Sequence, residues 1–368
     1  MRFSSIIISL GMFFTICLYS PMQASEKSLK AEPAFNAGEL IFDHVLDNHK
    51  WHIAEVGETE ISVPLPIILW QNGKLYCFSS NKFDKNGIYK NFQLRTQAPY
   101  KGKIVSLKLN AKGQKVISKN LPLDFSITKT VAGLMISAML LFLIFMTTAR
   151  SYKKRGIHAP KGIQSIVEPI FMFIRDEAIY NNLGKKYGKK FLPYLMCLFF
   201  FIAFNNLSGL IPIFPFGANL MGNISVTLVL ALFTFFLILA NSGKEYWRHI
   251  FNTPGVPWWM KFPIPLMPII EFMEIFTKPF ILMIRLFANI TAGHVVILGF
   301  VCIIFIFGDM SSFLGYALSP VSILFSLFVN ALEILVAFIQ AYIFTFLTSM
   351  YLAGALGYQA NEDTEHLS

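Results

Sequence analysis

Residues 263–307 read PIPLMPIIEFMEIFTKPFILMIRLFANITAGHVVILGFVCIIFIF, and residues 313–356 read FLGYALSPVSILFSLFVNALEILVAFIQAYIFTFLTSMYLAGAL. Both are apolar over far more than the ~20 residues that a helix needs to cross ~30 Å of hydrocarbon. A helix of roughly 40 residues would be about 60 Å long at ~1.5 Å per residue. It is too long to stand upright, so it must tilt, kink or lie partly along the membrane plane. Only a short polar break separates the two runs. They are expected to form a hairpin of two long, tilted helices.

Working outward, shorter apolar stretches occur at about 128–149, 191–213 and 224–241. The chain has 368 residues, 55% of them hydrophobic and 14% charged, and its mean hydropathy is +0.55. A soluble domain is nearer a quarter charged, and a disordered chain needs low hydrophobicity. The expected fold is therefore an all-α polytopic membrane protein of about five crossings over 127–357, with a tail at 358–368.

The net charge of +10 raises the question of nucleic acid, but the placement of the charges answers it differently. Ten Lys and Arg lie between 150 and 190, and Lys244, Arg248 and Lys261 lie in the loop at 242–262. The loops near 211–223 and 309–319 have none. Such alternation is the positive-inside signature. It puts 150–190, 242–262 and the C-terminal tail in the cytoplasm and the region before 127 outside. Nucleic-acid binding loses its support. Tyr246, Trp247, Trp258 and Trp259 suit a membrane interface. Ile163–Arg175 has its apolar residues at helical spacing and reads as an amphipathic helix on the cytoplasmic surface, with a kink expected at Pro169.

Residues 1–25 carry Arg2, an apolar run from Ile6 to Tyr19, Pro21 and the small pair Ala24-Ser25. This pattern predicts a signal peptide, and the run is short for a spanning anchor helix. The following 26–126 would then be a periplasmic extension, and the membrane a bacterial inner membrane. Ile61–Trp70 is rich in β-branched residues and contains Pro64 and Pro66; short strands are expected in Leu75–Phe78 and Lys103–Leu109, with turns at Asn72-Gly73, Asn86-Gly87 and Lys112-Gly113, giving a small β-rich region. His44, His49 and His52 near Asp43 and Asp47 suit either a metal site or, preferably, a solvated surface. Cys17, Cys77, Cys197 and Cys302 form no CxxC and no zinc pattern. No metal and no cofactor is expected. No GxxxxGK[ST] loop occurs, so the chain is not expected to make ATP by itself.

A charge inside a membrane helix costs several kcal/mol and needs a partner, water or a task. Between 263 and 357 the charged residues are Glu271, Glu274, Lys278, Arg285, Asp309 and Glu333. Glu274 and Lys278 are spaced for an i,i+4 ion pair, and Glu271 shares their face, a stripe suited to a wet path. Arg285 has no acidic neighbour on its own helix, only Asn289 one turn on. It cannot shed its proton, so it must meet an anion from elsewhere or water. Glu333 and Gln340 lie on one face roughly 10 Å apart, with Asn330 extending the stripe. His294 points to the side opposite Arg285. With a Glu in the neighbouring long helix, it is expected to form a proton-handling pair.

These residues resemble a known family. Phe276-Thr277-Lys278-Pro279, Ile284-Arg285-Leu286-Phe287-Ala288-Asn289 and Ala292-Gly293-His294 closely resemble subunit a of the F-type ATP synthase. So does Glu333 followed by Ile339-Gln340-Ala341-Tyr342-Ile343-Phe344. Asn206-Leu207-Ser208-Gly209-Leu210-Ile211-Pro212 and Asn223–Leu228 are similar to the family's second and third spans. The resemblance covers about 128–357. Residues 35–70 are similar to the family's short N-terminal segment, and 70–125 resemble nothing identified.

The resemblance implies a stator that faces a rotating ring of c subunits, with aqueous half-channels reaching the ring from opposite sides. Arg285 would hold the ring's buried carboxylate ionised between the channels. Asn289 and Gln340 would orient Arg285, and Glu271, His294 and Glu333 would line a half-channel. The implied partners are the c-subunit ring, b-type peripheral stalk subunits, the remainder of the ATP synthase and the lipid membrane. Protons are the expected ion. One departure stands out: some bacterial members have an acid where this chain has His294 and a His where it has Glu333. Two other readings stay open on the residues alone. One is a secondary transporter with Arg285 as an anion site, although paired internal repeats are not evident. The other is a membrane-anchored periplasmic binding module built on 26–125.

Overall fold

The computed structural model describes residues 49–56, 59–84, 87–95, 102–109, 115–118, 121–155, 160–211, 219–251 and 266–357, with the isolated positions 38, 47 and 217. The signal-peptide and tail expectations, His44, the turn at Lys112-Gly113, and Trp258 and Trp259 lie outside the described residues.

The first described region is built from short antiparallel strands: β1 (Lys50–Val56), β2 (Thr59–Pro64), β3 (Pro66–Gln71), β4 (Lys74–Ser79), β5 (Ile88–Tyr89), β6 (Phe92–Leu94), β7 (Ile104–Leu109), β8 (Lys115–Ile117) and β9 (Leu123–Asp124). They order as β1-β2, β4-β3-β9 and β5-β6-β7-β8. The Ile61–Trp70 stretch is divided between β2 and β3. Pro64 and Pro66 each lack an N–H, so the ladder cannot pass through them. Between them Leu65 donates its N–H to Ser80 Oγ at 3.0 Å, and its carbonyl accepts from Ser80 N at 2.9 Å. The Asn72-Gly73 turn has φ of 51° and 77°, and it closes the β3–β4 hairpin with Gln71 paired to Lys74. Two positive φ angles are what a two-residue hairpin turn requires. Ile67, Leu69, Phe78, Phe83, Phe92 and Ile104 form the core of this region.

Seven helices follow among the described residues: α1 (Lys129–Arg155), α2 (Ile163–Phe173), α3 (Asn181–Gly209), α4 (Ile224–Asn241), α5 (Lys244–Phe251), α6 (Leu266–Met310) and α7 (Ser312–Leu356). The stretches Lys129–Lys154, Ile163–Gly209, Ile224–Asn241, Pro268–Met310 and Ser312–Leu356 are long and apolar enough to cross a membrane. The segment at 163–175 is helical, as its spacing predicts. It continues through a π-helical turn at Ile174–Tyr180 into α3. Pro169 stays within α2, and the non-helical residue is Gly184, at φ 64°. Only glycine takes that conformation freely.

The α6–α7 hairpin turns on Ser311 alone, in extended geometry. Its tightness depends on Gly315. A Cβ there would lie 2.8 Å from Gly308 Cα, so α7 has no room for a side chain at that position. Leu195, Phe199 and Ile202 of α3 pack with Leu282, Leu286 and Ile290 of α6 and with Ala341 and Phe344 of α7. Polar bonds lock the other end of α3: Asn182 Nδ2 donates to Ser349 Oγ at 2.8 Å, and Ser349 Oγ donates to the Ala178 carbonyl at 2.5 Å.

Candidate functional site in the long helical hairpin

His294 faces inward from α6, toward α7 and the end of α3. Its Nδ1 lies 2.9 Å from Glu333 Oε1 and 3.2 Å from the Ile290 carbonyl, and its Nε2 lies 3.4 Å from the Gly209 carbonyl. Two ring nitrogens thus meet three oxygens. With Glu333 ionised, both nitrogens have acceptors and the ring is suited to the doubly protonated form. With Glu333 neutral, its O–H donates to Nδ1 and Nε2–H serves Gly209. Either arrangement shares one exchangeable proton across two helices. Glu333 is buried, and its Oε2 has no hydrogen-bond partner among the described residues.

Backbone geometry allows the contact. A Cβ on Gly293 would lie 2.6 Å from Glu333 Cδ, so the carboxylate occupies the space where a side chain would stand. Asn206 of α3 donates through Nδ2 to the Ala337 carbonyl at 3.2 Å, one turn beyond Glu333, and its buried Oδ1 is unpartnered among the described residues. Neither Gly293 nor Gly209 carries a signal in composition or charge. Their roles are a close approach and a carbonyl, which only the packing of three helices reveals.

Asn289 Nδ2 donates to Gln340 Oε1 at 3.0 Å, tying α6 to α7 one turn from Arg285. Arg285 sits between the buried positions Leu282 and Leu286 and the exposed positions Ile281 and Ile284. Among the described residues its guanidinium makes no hydrogen bond and no ion pair. His294 and Arg285 fall on opposite sides of α6, as their spacing requires.

The third group is separate. Lys278 Nζ lies 2.9 Å from Glu274 Oε1, and it sits over the Tyr351 ring at 5.2 Å. Tyr246 of α5 shares a small pocket with Lys278, Pro279 and Tyr351. Burial, with Glu271 and Glu274 nearby, pushes its hydroxyl above the ordinary tyrosine range even though Lys278 pulls the other way. Glu271 is half-buried in the same stripe. The structure does not bring it to His294 and Glu333, because roughly 35 Å of α6 lies between Glu271 and His294 at ~1.5 Å per residue. The expectation of one shared compartment for all three is corrected accordingly: Arg285 lies between the two groups.

Outside the bundle, His49 is buried rather than solvated, with Nε2 3.0 Å from Asp124 Oδ2. Burial opposes ionisation of Asp124. The hydrogen bonds from His49 and Ser126 outweigh it and hold the carboxyl below the usual range. Among the described residues no His, Cys, Asp and Glu cluster could hold a metal.

Residues 132–353 match the family model for the ATP synthase A chain. Residues 40–125 match a domain of unknown function (DUF8433), so the stretch at 35–70 falls largely within that match and not within the ATP synthase one. The chain is 39% identical over 250 residues to ATP synthase subunit a of Chloroherpeton thalassium, covering 66% of this chain and 70% of that protein. It is 41% identical over 252 residues to ATP synthase subunit a 2 of Chlorobaculum tepidum, covering 66% and 67%. It is 37% identical over 268 residues to ATP synthase subunit a of an Anaeromyxobacter species, covering 70% and 60%. With a family match over more than half its length and five helices able to span a bilayer, the chain belongs to the ATP synthase A chain family of multi-pass membrane proteins.

Proposed function

We propose that the chain is the proton-translocating stator of an F-type ATP synthase membrane sector, with Arg285 facing a ring of c subunits. The family membership supports this role and does not favour a secondary transporter. The observation that carries the detailed reading is the arrangement on α6: the buried His294–Glu333 pair on one side and Arg285 on the other. A carboxylate brought by the ring meets a permanent cation, which favours its ionised form. Low surrounding dielectric strengthens that attraction. Carboxylates that leave protonated can turn through lipid, and ionised ones cannot, so proton flow and rotation are tied.

His294 and Glu333 serve the half-channel on the Ser311 side of Arg285, and Glu271 the one on the opposite side. Asn289 and Gln340 keep Arg285 aimed at the ring. The exposed apolar positions around Arg285, among them Ile281, Ile284 and Phe280, are the surface a ring of helices would cover. The basic loops argue that the Ser311 turn and residues 26–126 lie in the periplasm, behind a cleaved signal peptide, with the C-terminus in the cytoplasm of a bacterial inner membrane. The b-type stalk subunits hold the stator against the rotating ring. Nucleotide chemistry belongs to other subunits. The test is Arg285→Ala in the assembled complex. Proton-driven ATP synthesis should be abolished while assembly persists, and full synthesis in that variant would overturn the role.

A further inference from the structure

The outer face of sheet β4-β3-β9 has the wrong composition for a surface in water. Strand pairing puts Trp70 opposite Leu75 on one side and Leu123 on the other. Ile68 pairs with Cys77, and the Phe125 N–H continues the ladder to the Ile68 carbonyl at 2.9 Å. These six side chains share one face, because paired residues in an antiparallel sheet point the same way. Trp70 is 44% exposed, Leu75 60%, Leu123 61% and Phe125 64%, whereas Ile67 and Leu69 on the opposite face are wholly buried. A contiguous exposed apolar patch of this kind marks an interaction surface.

The junction with the bundle says what covers it. The Ile127 N–H bonds the Pro66 carbonyl at 3.1 Å, and α1 begins at Lys129, so the sheet runs into the first spanning helix almost without a linker. Asp47 Oδ1 accepts from the Thr130 N–H at 3.1 Å, and Trp51 and Leu65 pack with Leu220 beside Ala132, Leu134 and Ile136. The sheet is therefore pinned to the first turns of α1. Four extended residues from Phe125 reach at most ~13 Å, while the headgroup layer adds roughly 5–7 Å on each side of the hydrocarbon. The exposed apolar positions Leu121, Leu123 and Phe125 are followed in sequence by the exposed Val131, Met135 and Met139 of α1. Residues 50–126 also carry twelve Lys and Arg against five Asp and Glu. An apolar patch with basic surroundings is the combination that binds anionic bilayer surfaces.

We propose that this sheet face docks on the bilayer surface, seating Trp70, Leu75, Leu123 and Phe125 among lipid headgroups while nearby lysines take anionic ones. The proposal rests on the bundle spanning a membrane and not on the proton-path reading. Cys77 lies on the same face and is exposed, which gives a native labelling position. The full chain, with Cys17, Cys197 and Cys302 replaced by Ser, is labelled there with an environment-sensitive fluorophore. It is then reconstituted in nanodiscs of phosphatidylcholine and phosphatidylglycerol. The control is Lys108→Cys, on an exposed position of β7, in a chain that also carries Cys77→Ser. The Cys77 label should be blue-shifted and quenched several-fold more by shallow spin-labelled lipid than the control, with the difference reduced in Trp70→Ser/Phe125→Ser. Those side chains are exposed, and an unchanged protease pattern establishes that the double variant folds. Equal quenching of both labels by aqueous iodide overturns the proposal. Protection from lipid and iodide alike also overturns it, because a protein would then cover the face.

Discussion

His294 Nδ1 lies 2.9 Å from Glu333 Oε1, a contact that bridges positions on two different long helices. It puts the acid and the base, exchanged relative to some bacterial members of the family, against each other. Such an exchange keeps one acid and one base together, and the contact supplies the proximity it needs.

The contact predicts a rescue. His294→Glu and Glu333→His singly should each cut proton-driven ATP synthesis by an order of magnitude or more, because each leaves two like groups together. The double exchange should recover a large part of it. Synthesis rates in inverted vesicles, with assembly checked by copurification, provide the measurement. A double variant no better than the singles would mean that the two residues do not act as a unit.

Gly293 is predicted to be intolerant of a side chain. A methyl there would stand 2.6 Å from Glu333 Cδ. Gly293→Ala should push Glu333 off His294 and alter the pH profile of proton conduction, with a packing cost of about 1–3 kcal/mol. Passive proton permeability across a pH series reads the first effect, and thermal stability reads the second.

The hairpin turn should be equally demanding, but for stability alone. Gly315→Ala would set a methyl against Gly308 Cα. It should destabilise the assembled chain by about 1–3 kcal/mol and leave the pH profile of the surviving fraction unchanged. Thermal unfolding in detergent, alongside that profile, separates the two.

Asp124 fastens the β region near the start of α1 through His49. Its pKa is held below the ordinary carboxylate value. The stability it contributes is therefore full above ~3.9, the unfolded value, and is lost as pH falls through the lower folded one. Limited proteolysis within 50–126 should show the wild type protected down to about pH 4 and loosening below. Asp124→Asn should be more susceptible at neutral pH and should lack that acid dependence.

Much of the membrane fold was legible because burial in lipid is a compositional demand. The long runs ending at Phe307 and starting at Phe313 differ by only a few residues from the bounds of α6 and α7. The Glu274–Lys278 pair followed from helical spacing, because i,i+4 contacts are local. The course of the chain from α2 into α3 was not legible. Amphipathic spacing at 163–175 reads the same whether the helix ends or bends, and the bend at Gly184 depends on what α3 packs against. His49 was misread as solvated because its burial rests on Asp124, 75 residues away.

The sequence by itself determined that this chain crosses a membrane about five times and carries an unescapable cation at Arg285, since hydrocarbon tolerates few charges and every one of them can be counted. Tertiary structure alone decided which polar groups meet: Glu333 with His294, Gln340 with Asn289, Gly209 at the end of α3 with the far ring nitrogen, and Glu271 with none of these. Periodicity fixes the face of one helix. Only the register and close approach between helices, set here by glycines at 293 and 315, fix what that face touches.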